Sequence, residues 1–281
     1  MKRILVTGAH GQLGRQVLRR AAERKLDVSG YGSAEWDITD PARSAEIVEP
    51  GSVVLNCAAY TAVDLAETDL TSATAVNEEG PRVLATACAD AGARLIHVST
   101  DYVFAGTADA PYQPGDPTAP ASVYGRTKLA GELAIIDALP TAQIVRTAWV
   151  YTGSGTDFVA TMRRLEQERD TIDVVDDQRG SPTFAGDLAA GLLELAEHPD
   201  APTLLHLTNE GEATWFDLAR AVFESVGADP ERVRPCSSAQ FVRPAPRPAY
   251  SVLSTRVWRD AGLTPLRDWR SALTTALAEV G

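Results

Sequence analysis

The sequence predicts an α/β protein: a doubly wound parallel sheet followed by a smaller C-terminal α/β part. Three observations predict it. Short apolar runs alternate with segments of helical periodicity through residues 1–150, the links between them are short, and a glycine-rich turn follows the first run. Strand–helix–strand units with short links close as right-handed crossovers, which makes the sheet parallel and puts helices on both its faces.

The first strand is "RILVT" (3–7), a continuous apolar run, and the helix after it carries Leu13, Val17, Leu18 and Ala21 on one side. "LDVSGY" (26–31) and "SVVLNCAA" (52–59) are the next strands. "PRVLATACADAG" (81–92) is a helix with Val83, Leu84, Ala87 and Ala91 apolar and Gly92 as its terminator. "ARLIHVST" (93–100) is a strand, 122–138 a helix, and "AQIVRTAWVY" (142–151) a strand. Beyond Tyr151 the rhythm loosens: a loop at 152–157, a helix over 158–170, a strand over 171–183 leaving into a turn, and an amphipathic helix over 185–198. The proline-rich "RPAPRPAY" (243–250) predicts an extended loop.

With 281 residues, one large core or two modest ones can form. A net charge of −12 argues against nucleic acid and anionic membrane surfaces as partners. Cys57, Cys88 and Cys236 are widely spaced, with no pair at metal or disulfide-motif spacing, and reduced thiols are expected. The apolar run at the N-terminus is too short for a signal peptide, and no run reaches the roughly 18 apolar residues of a membrane span. A cytoplasmic location is the expectation.

"TGAHGQLG" sets Gly8, Gly11 and Gly14 at three-residue spacing between the first strand and the first helix. Glycines there permit a tight turn and let the backbone approach a pyrophosphate, while the helix N-terminus offers N–H groups and partial positive charge. That predicts a Rossmann-type dinucleotide-binding domain over residues 1–150 and a substrate-binding domain over 151–281, with the helix at 185–198 a candidate to pack back on the sheet. An acid at the end of the second strand would favour NAD; "SGYGS" (29–33) has none, and Glu35 comes later. Arg15 is placed to approach a 2′-phosphate, so NADPH is expected to be preferred, with NADH accepted as the alternative. In "WDITD" (36–40), Asp37 falls where the adenine amine would be met; its other reading is a helix cap, for which Asp40 before Pro41 is better placed.

"SVYGRTKLAGE" (122–132) holds Tyr124 and Lys128, about 40° apart on one helix face. Lysine occurs only at positions 2, 25 and 128. Reducing a carbonyl with a nicotinamide needs a proton donor, and a tyrosine serves if a neighbouring ammonium lowers its pKa from about 10. Thr100 ends the strand before this helix, at the carboxyl edge where such sheets bind ligands, and its hydroxyl can donate to the same oxygen. Strand alternation points either Ser99 or Thr100 away, and Asp101 is a candidate to hold the loop or bind substrate hydroxyls. The histidines at 10, 97, 198 and 206 show no metal spacing.

These motifs, with "NCAAYTAVDLAE" (56–67), "VNEEGPRVLA" (76–85), "VSTDYVFAG" (98–106), "IVRTAWVY" (144–151), "DQRGSPT" (177–183) and "RPAYSVL" (247–253), cover most of the chain. In them the sequence resembles the extended short-chain dehydrogenase/reductases and, more narrowly, the dTDP-4-dehydrorhamnose reductase family. The resemblance implies NADPH-dependent reduction of the C4 ketone of dTDP-4-dehydro-6-deoxy-L-mannose. It implies that Gly8, Gly11, Gln12, Leu13 and Gly14 embrace the pyrophosphate and that Asp37 and Ile38 contact adenine. Ala58, Ala59 and Tyr60 would line the cofactor groove, and Thr100, Tyr124 and Lys128 would be catalytic. Trp149, Val63, Asp101 and Tyr102 would meet the hexose; Trp149 also reads as a core residue.

Three positions depart from the family pattern. Gln16 stands where some members have a Mg²⁺-binding glutamate, so no metal site is assigned and a homodimer is left open. Asp157 precedes Phe158 where asparagine is frequent, and an acid there would repel a diphosphate unless turned away. Tyr250 replaces a commoner asparagine. Two alternatives follow: a reductase of another dTDP-4-keto-6-deoxyhexose, or a non-catalytic NADP-binding regulatory subunit.

Overall fold

The computed structural model describes residues 2–280. The chain runs β1 (Ile4–Thr7), α1 (Gln12–Glu23), β2 (Val28–Tyr31), α2 (Pro41–Ile47), β3 (Val53–Asn56), α3 (Val63–Ala66) and α4 (Leu70–Thr74). A π-helical turn over Ala75–Glu79 leads into α5 (Gly80–Ala91), followed by β4 (Arg94–Thr100), α6 (Val123–Ala138), β5 (Gln143–Thr147) and β6 (Val150–Tyr151). Then come α7 (Phe158–Glu168), β7 (Ile172–Val175), β8 (Arg179–Gly180), β9 (Thr183–Phe184), α8 (Ala185–Glu197) and β10 (Leu204–His206). The chain ends with β11 (Ala213–Thr214), α9 (Trp215–Ser225), β12 (Val233–Cys236), α10 (Arg256–Asp260) and α11 (Trp269–Val280). The fold is therefore a Rossmann-like parallel sheet with helices on both faces and a smaller α/β part.

Six strands form the main sheet in the order β10-β5-β4-β3-β1-β2, every pair parallel. The strands read as continuous apolar runs because both faces are covered. Along β1, Ile4 and Val6 enter one layer and Leu5 the other. The first layer joins Val17 and Ala21 of α1 to Leu188, Leu192 and Leu195 of α8 and Trp258 of α10. The second joins Ile47 of α2, Leu84 and Cys88 of α5 and Ile135 of α6. Each such leucine or isoleucine contributes about 1.5–3 kcal/mol by leaving water. A separate apolar cluster, with Met162, Phe184, Phe223 and Trp269 at its centre, builds the C-terminal part.

Helix 185–198 packs on α1, and β10 extends the sheet beside β5. The single strand expected over 142–151 is two, β5 and β6. Trp149 breaks it with φ +47, a left-handed backbone that costs a side-chain-bearing residue about 1–2 kcal/mol. Asp40 caps α2 through Ala42 N–H and Arg43 N–H. Among the described residues, no helix is long and apolar enough to cross a membrane.

Candidate active site

The carboxyl ends of β1, β3 and β4 open on a cavity of about 450 Å³ at the reversal of strand order. It begins at Gly11, Gln12, Leu13 and Gly14 and runs past Cys57, Ala59 and Val63 to Thr100, Tyr124 and Lys128. Asp101, Tyr102 and Trp149 complete the far end.

The glycine turn fits a diphosphate. Gly8 sits at φ +64, and a Cβ there would come within 2.7 Å of the Ala58 nitrogen. A Cβ on Gly14 would strike the Gly8 carbonyl, so helix and turn touch through bare backbone. Gly11 precedes α1 without a side-chain cap, leaving the first helical N–H groups to an anion in the cavity. At the end of β2 the geometry differs from the sequence expectation. The Glu35 carboxylate folds back to accept the Gly32 N–H at 2.8 Å, placing an acid where the sequence placed none.

Helix α6 delivers the tyrosine and lysine. Ser122 accepts the Gly125 N–H at 3.1 Å and Glu67 the Val123 N–H at 2.8 Å. The helix is thereby fixed to start one residue before Tyr124, with Lys128 one turn inside it. Gly125 carries no Cβ where one would strike the Tyr102 carbonyl, which brings α6 close to the turn after β4.

At the end of β4 the two hydroxyls separate as alternation requires: Ser99 donates to Glu132, and Thr100 donates to Asp101 Oδ1 at 3.0 Å. Burial pushes the Tyr124 phenol up to about 12, with the Thr100 hydroxyl pulling down and the Asp101 carboxylate adding to the rise. Lys128 does not supply the expected lowering. Its amine, 1% exposed, turns to the Val98 carbonyl at 2.8 Å and to His97 Nε2 at 3.1 Å. Burial lowers Lys128 to about 8, against upward pulls from Glu132 and Cys57. Burial also pushes Asp101 up to about 6, opposed by the Ser251 hydroxyl near it and by the hydrogen bond from Thr100.

Ala58, Tyr60, Ile38 and Asp37 are not among the residues that line this cavity. Ala58 is packed under Gly8, and Tyr60 joins Ala66, Ala73 and Val123, with its hydroxyl 3.3 Å from Asp69. Ile38 is buried in the layer of Trp36. Asp37 is exposed, accepting from the Thr39 N–H at 2.9 Å. Trp149 stacks on Trp215, rings 3.5 Å apart and nearly parallel, at the edge of the cavity and over Gly180. Asp157 is turned away: it caps α7 through Ala160 N–H and accepts from Thr152 and Gly153. Tyr250 lies with its hydroxyl 3.3 Å from Glu212.

Sequence reasoning passed over Trp215, Arg243 and Arg247. Tyr102 and Trp215 also line a second cavity of about 580 Å³, which the two arginines border. Arg247 pairs with Asp64 at 3.0 Å and Arg243 lies 3.6 Å from the same carboxylate. The "RPAPR" loop holding two arginines among prolines was the available signal.

The model of the RmlD substrate binding domain family matches residues 1–281. The dTDP-4-dehydrorhamnose reductase of Mycobacterium tuberculosis H37Rv is 58% identical over 282 residues, 99% of this chain and 93% of that protein. The dTDP-4-keto-6-deoxy-D-glucose reductase of Streptomyces niveus is 47% identical, over 98% of this chain and 96% of that protein. The crystal structure of Bacillus anthracis dTDP-4-dehydrorhamnose reductase in complex with NADP superposes with a TM-score of 0.94 at 35% identity, covering 99% of this chain and all of that one. With a family match end to end and relatives this similar, the chain belongs to the RmlD family, the family of the dTDP-4-dehydrorhamnose reductases.

Proposed function

We propose that this chain reduces the C4 ketone of dTDP-4-dehydro-6-deoxy-L-mannose with NADPH, giving dTDP-L-rhamnose. One observation carries the reading: Thr100, Tyr124 and Lys128 meet on the cavity that begins at the uncapped N-terminus of α1. A dinucleotide laid along it would have its diphosphate on the glycine turn and its reactive end at the tyrosine.

When bound, the nicotinamide supplies a hydride to C4. Tyr124 gives its phenolic proton to the ketone oxygen as charge develops there. Thr100 donates a hydrogen bond to the same oxygen once its proton is released from Asp101. Lys128, turned from Val98 and His97 into the cavity, would hold the cofactor ribose and, as an ammonium, favour the phenolate that Tyr124 leaves behind. Trp149 and Tyr102 shape the hexose end, with Val63 and Asp101 beside them. The second cavity would take the dTDP group, with Arg243 and Arg247 exchanging Asp64 for the diphosphate and Trp215 offering its ring to the base.

The test is NADPH oxidation against a panel of dTDP-4-keto-6-deoxyhexoses with product sugars identified. Turnover of the L-mannose ketone above all others supports the reading. The Streptomyces niveus relative motivates a second outcome: preference for another 4-keto sugar would reassign the substrate while keeping the chemistry. No oxidation of NADPH with any of them, by folded protein, would sink the enzyme.

A further inference from the structure

The hydrogen-bond donors around Lys128 do not balance unless its amine is neutral. His97 is fully buried in β4, opposite Asn56 on β3. The Asn56 side-chain oxygen accepts from the Ala58 N–H at 3.0 Å and from the Thr7 hydroxyl at 2.7 Å. A backbone N–H can only donate, so this settles which end of the amide is oxygen. The amide NH₂ therefore faces His97 Nδ1 at 2.9 Å, and Nδ1 must be bare. A neutral ring with a bare Nδ1 carries its proton on Nε2, which lies 3.1 Å from Lys128 Nζ. An ammonium has three donors and no acceptor, so it would set N–H against N–H. An amine resolves the conflict: its lone pair accepts from His97 while it donates to the Val98 carbonyl at 2.8 Å.

We propose that His97 is a positioning residue that stabilises the neutral-amine form of Lys128, and that cofactor binding draws a solvent proton onto that amine. The first half stands on the hydrogen-bond geometry alone; the second rests on the cofactor reading above. The step is Lys128–NH₂ plus H⁺ giving Lys128–NH₃⁺, with the proton taken from the buffer. On protonation the amine loses its acceptor role toward His97 and is freed to turn into the cavity, toward Tyr124 and the ribose. Negative charge on the bound phosphates favours the charged form.

The groups facing Lys128 allow both states. Glu132, on the same helix, favours the ammonium, but its carboxylate is engaged at 2.6 Å by Arg146 of β5. Cys57, after β3, has its thiol pushed up to about 12 by burial and is uncharged. Tyr124 is a neutral phenol, and the Asp101 carboxylate is taken by Thr100. His97 stays neutral in both because burial holds it well below its ordinary value, and the Lys128 charge, once formed, lowers it further.

The chain's three lysines make a direct test practical. Lysine labelled with carbon-13 at Cε gives three signals to titrate in the empty protein, and Lys128→Met assigns the third. Nitrogen-15 spectra of the histidine rings report the His97 tautomer. Expected are a bare Nδ1 on His97 and a Lys128 midpoint well below the ordinary lysine value. His97→Leu should raise that midpoint by about one pH unit. His97→Gln, whose amide can accept from Asn56 and donate to Lys128, should keep it low. Adding NADPH to the wild-type chain at about pH 9 should move the Lys128 signal to its protonated position. A proton on His97 Nδ1 overturns the proposal, and so does one midpoint shared by wild type, His97→Leu and His97→Gln. The tautomer reading needs no variant to fold. NADPH that binds without shifting the Lys128 signal overturns the proton uptake, whereas NADPH that fails to bind, by fluorescence titration, sinks the cofactor reading and leaves the empty-protein titration to decide the role of His97.

Discussion

The Thr100 hydroxyl lies 3.0 Å from Asp101 Oδ1, so the one proton that threonine owns is given to its neighbour. The other oxygen of that carboxylate is buried without a hydrogen-bond partner beside Ser251, whose hydroxyl is also unpartnered. Asp101 is thus satisfied at one oxygen only, and the Thr100 donor is engaged. Substrate hydroxyls that satisfy Asp101 would release Thr100 toward the ketone oxygen.

This pair predicts a trade of stability for function. Burial raises the Asp101 carboxyl from its ordinary 3.8 to about 6. The folded chain therefore binds this proton more tightly than the unfolded one. Stability is lost as pH rises from about 4 to about 6, and the loss persists above that. Asp101→Asn removes the charge but leaves an amide N–H to satisfy, so the empty variant should be about 1–2 kcal/mol more stable at neutral pH. The gain should vanish near pH 4, while turnover falls. Urea unfolding at the two pH values checks it; a variant no more stable at pH 7 contradicts it.

The cofactor preference turns on Glu35. NADPH should be used with higher kcat/KM than NADH, yet the Glu35 carboxylate, held on the Gly32 N–H after β2, would lie beside a 2′-phosphate bound at the end of that strand. Glu35→Gln should widen the preference by roughly threefold to tenfold, a gain confined to NADPH. Equal changes for both cofactors would show that Glu35 does not reach the ribose.

Activity should survive EDTA treatment and dialysis, because Gln16 stands where a metal-binding glutamate would be expected. Its side-chain oxygen is buried without a partner. Loss of turnover restored by Mg²⁺ alone would reverse this expectation.

Much of the sheet was legible because its strands are buried on both faces: "RILVT", "SVVLNCAA" and "ARLIHVST" had no polar alternation to confuse them. The glycine turn and the Tyr124–Lys128 pair were legible for a related reason, since each needs particular residue types at fixed spacing. The break at Trp149 was not, because nothing local marks a tryptophan for left-handed backbone. Strand β10 has three residues and is a strand only through its pairing with β5. Helix α9 carried a signal that was missed: Thr214 and Asp217 form a capping box before an apolar run. The direction of the Lys128 side chain was illegible, because it is set by Asn56 and His97 on two other elements.

The most direct measurement is kcat together with the NADPH Kd for Tyr124→Phe, with Lys128→Met alongside. Phenylalanine keeps the ring and removes only the group that delivers the proton. Its kcat should fall about 10²–10⁴-fold, or roughly 3–5 kcal/mol, with NADPH affinity nearly unchanged. Lys128→Met removes both the charge and the ribose contact, so rate and affinity should fall together. A Tyr124→Phe chain that keeps more than about a tenth of wild-type kcat, with chemistry rate-limiting, would mean that the tyrosine is not the acid.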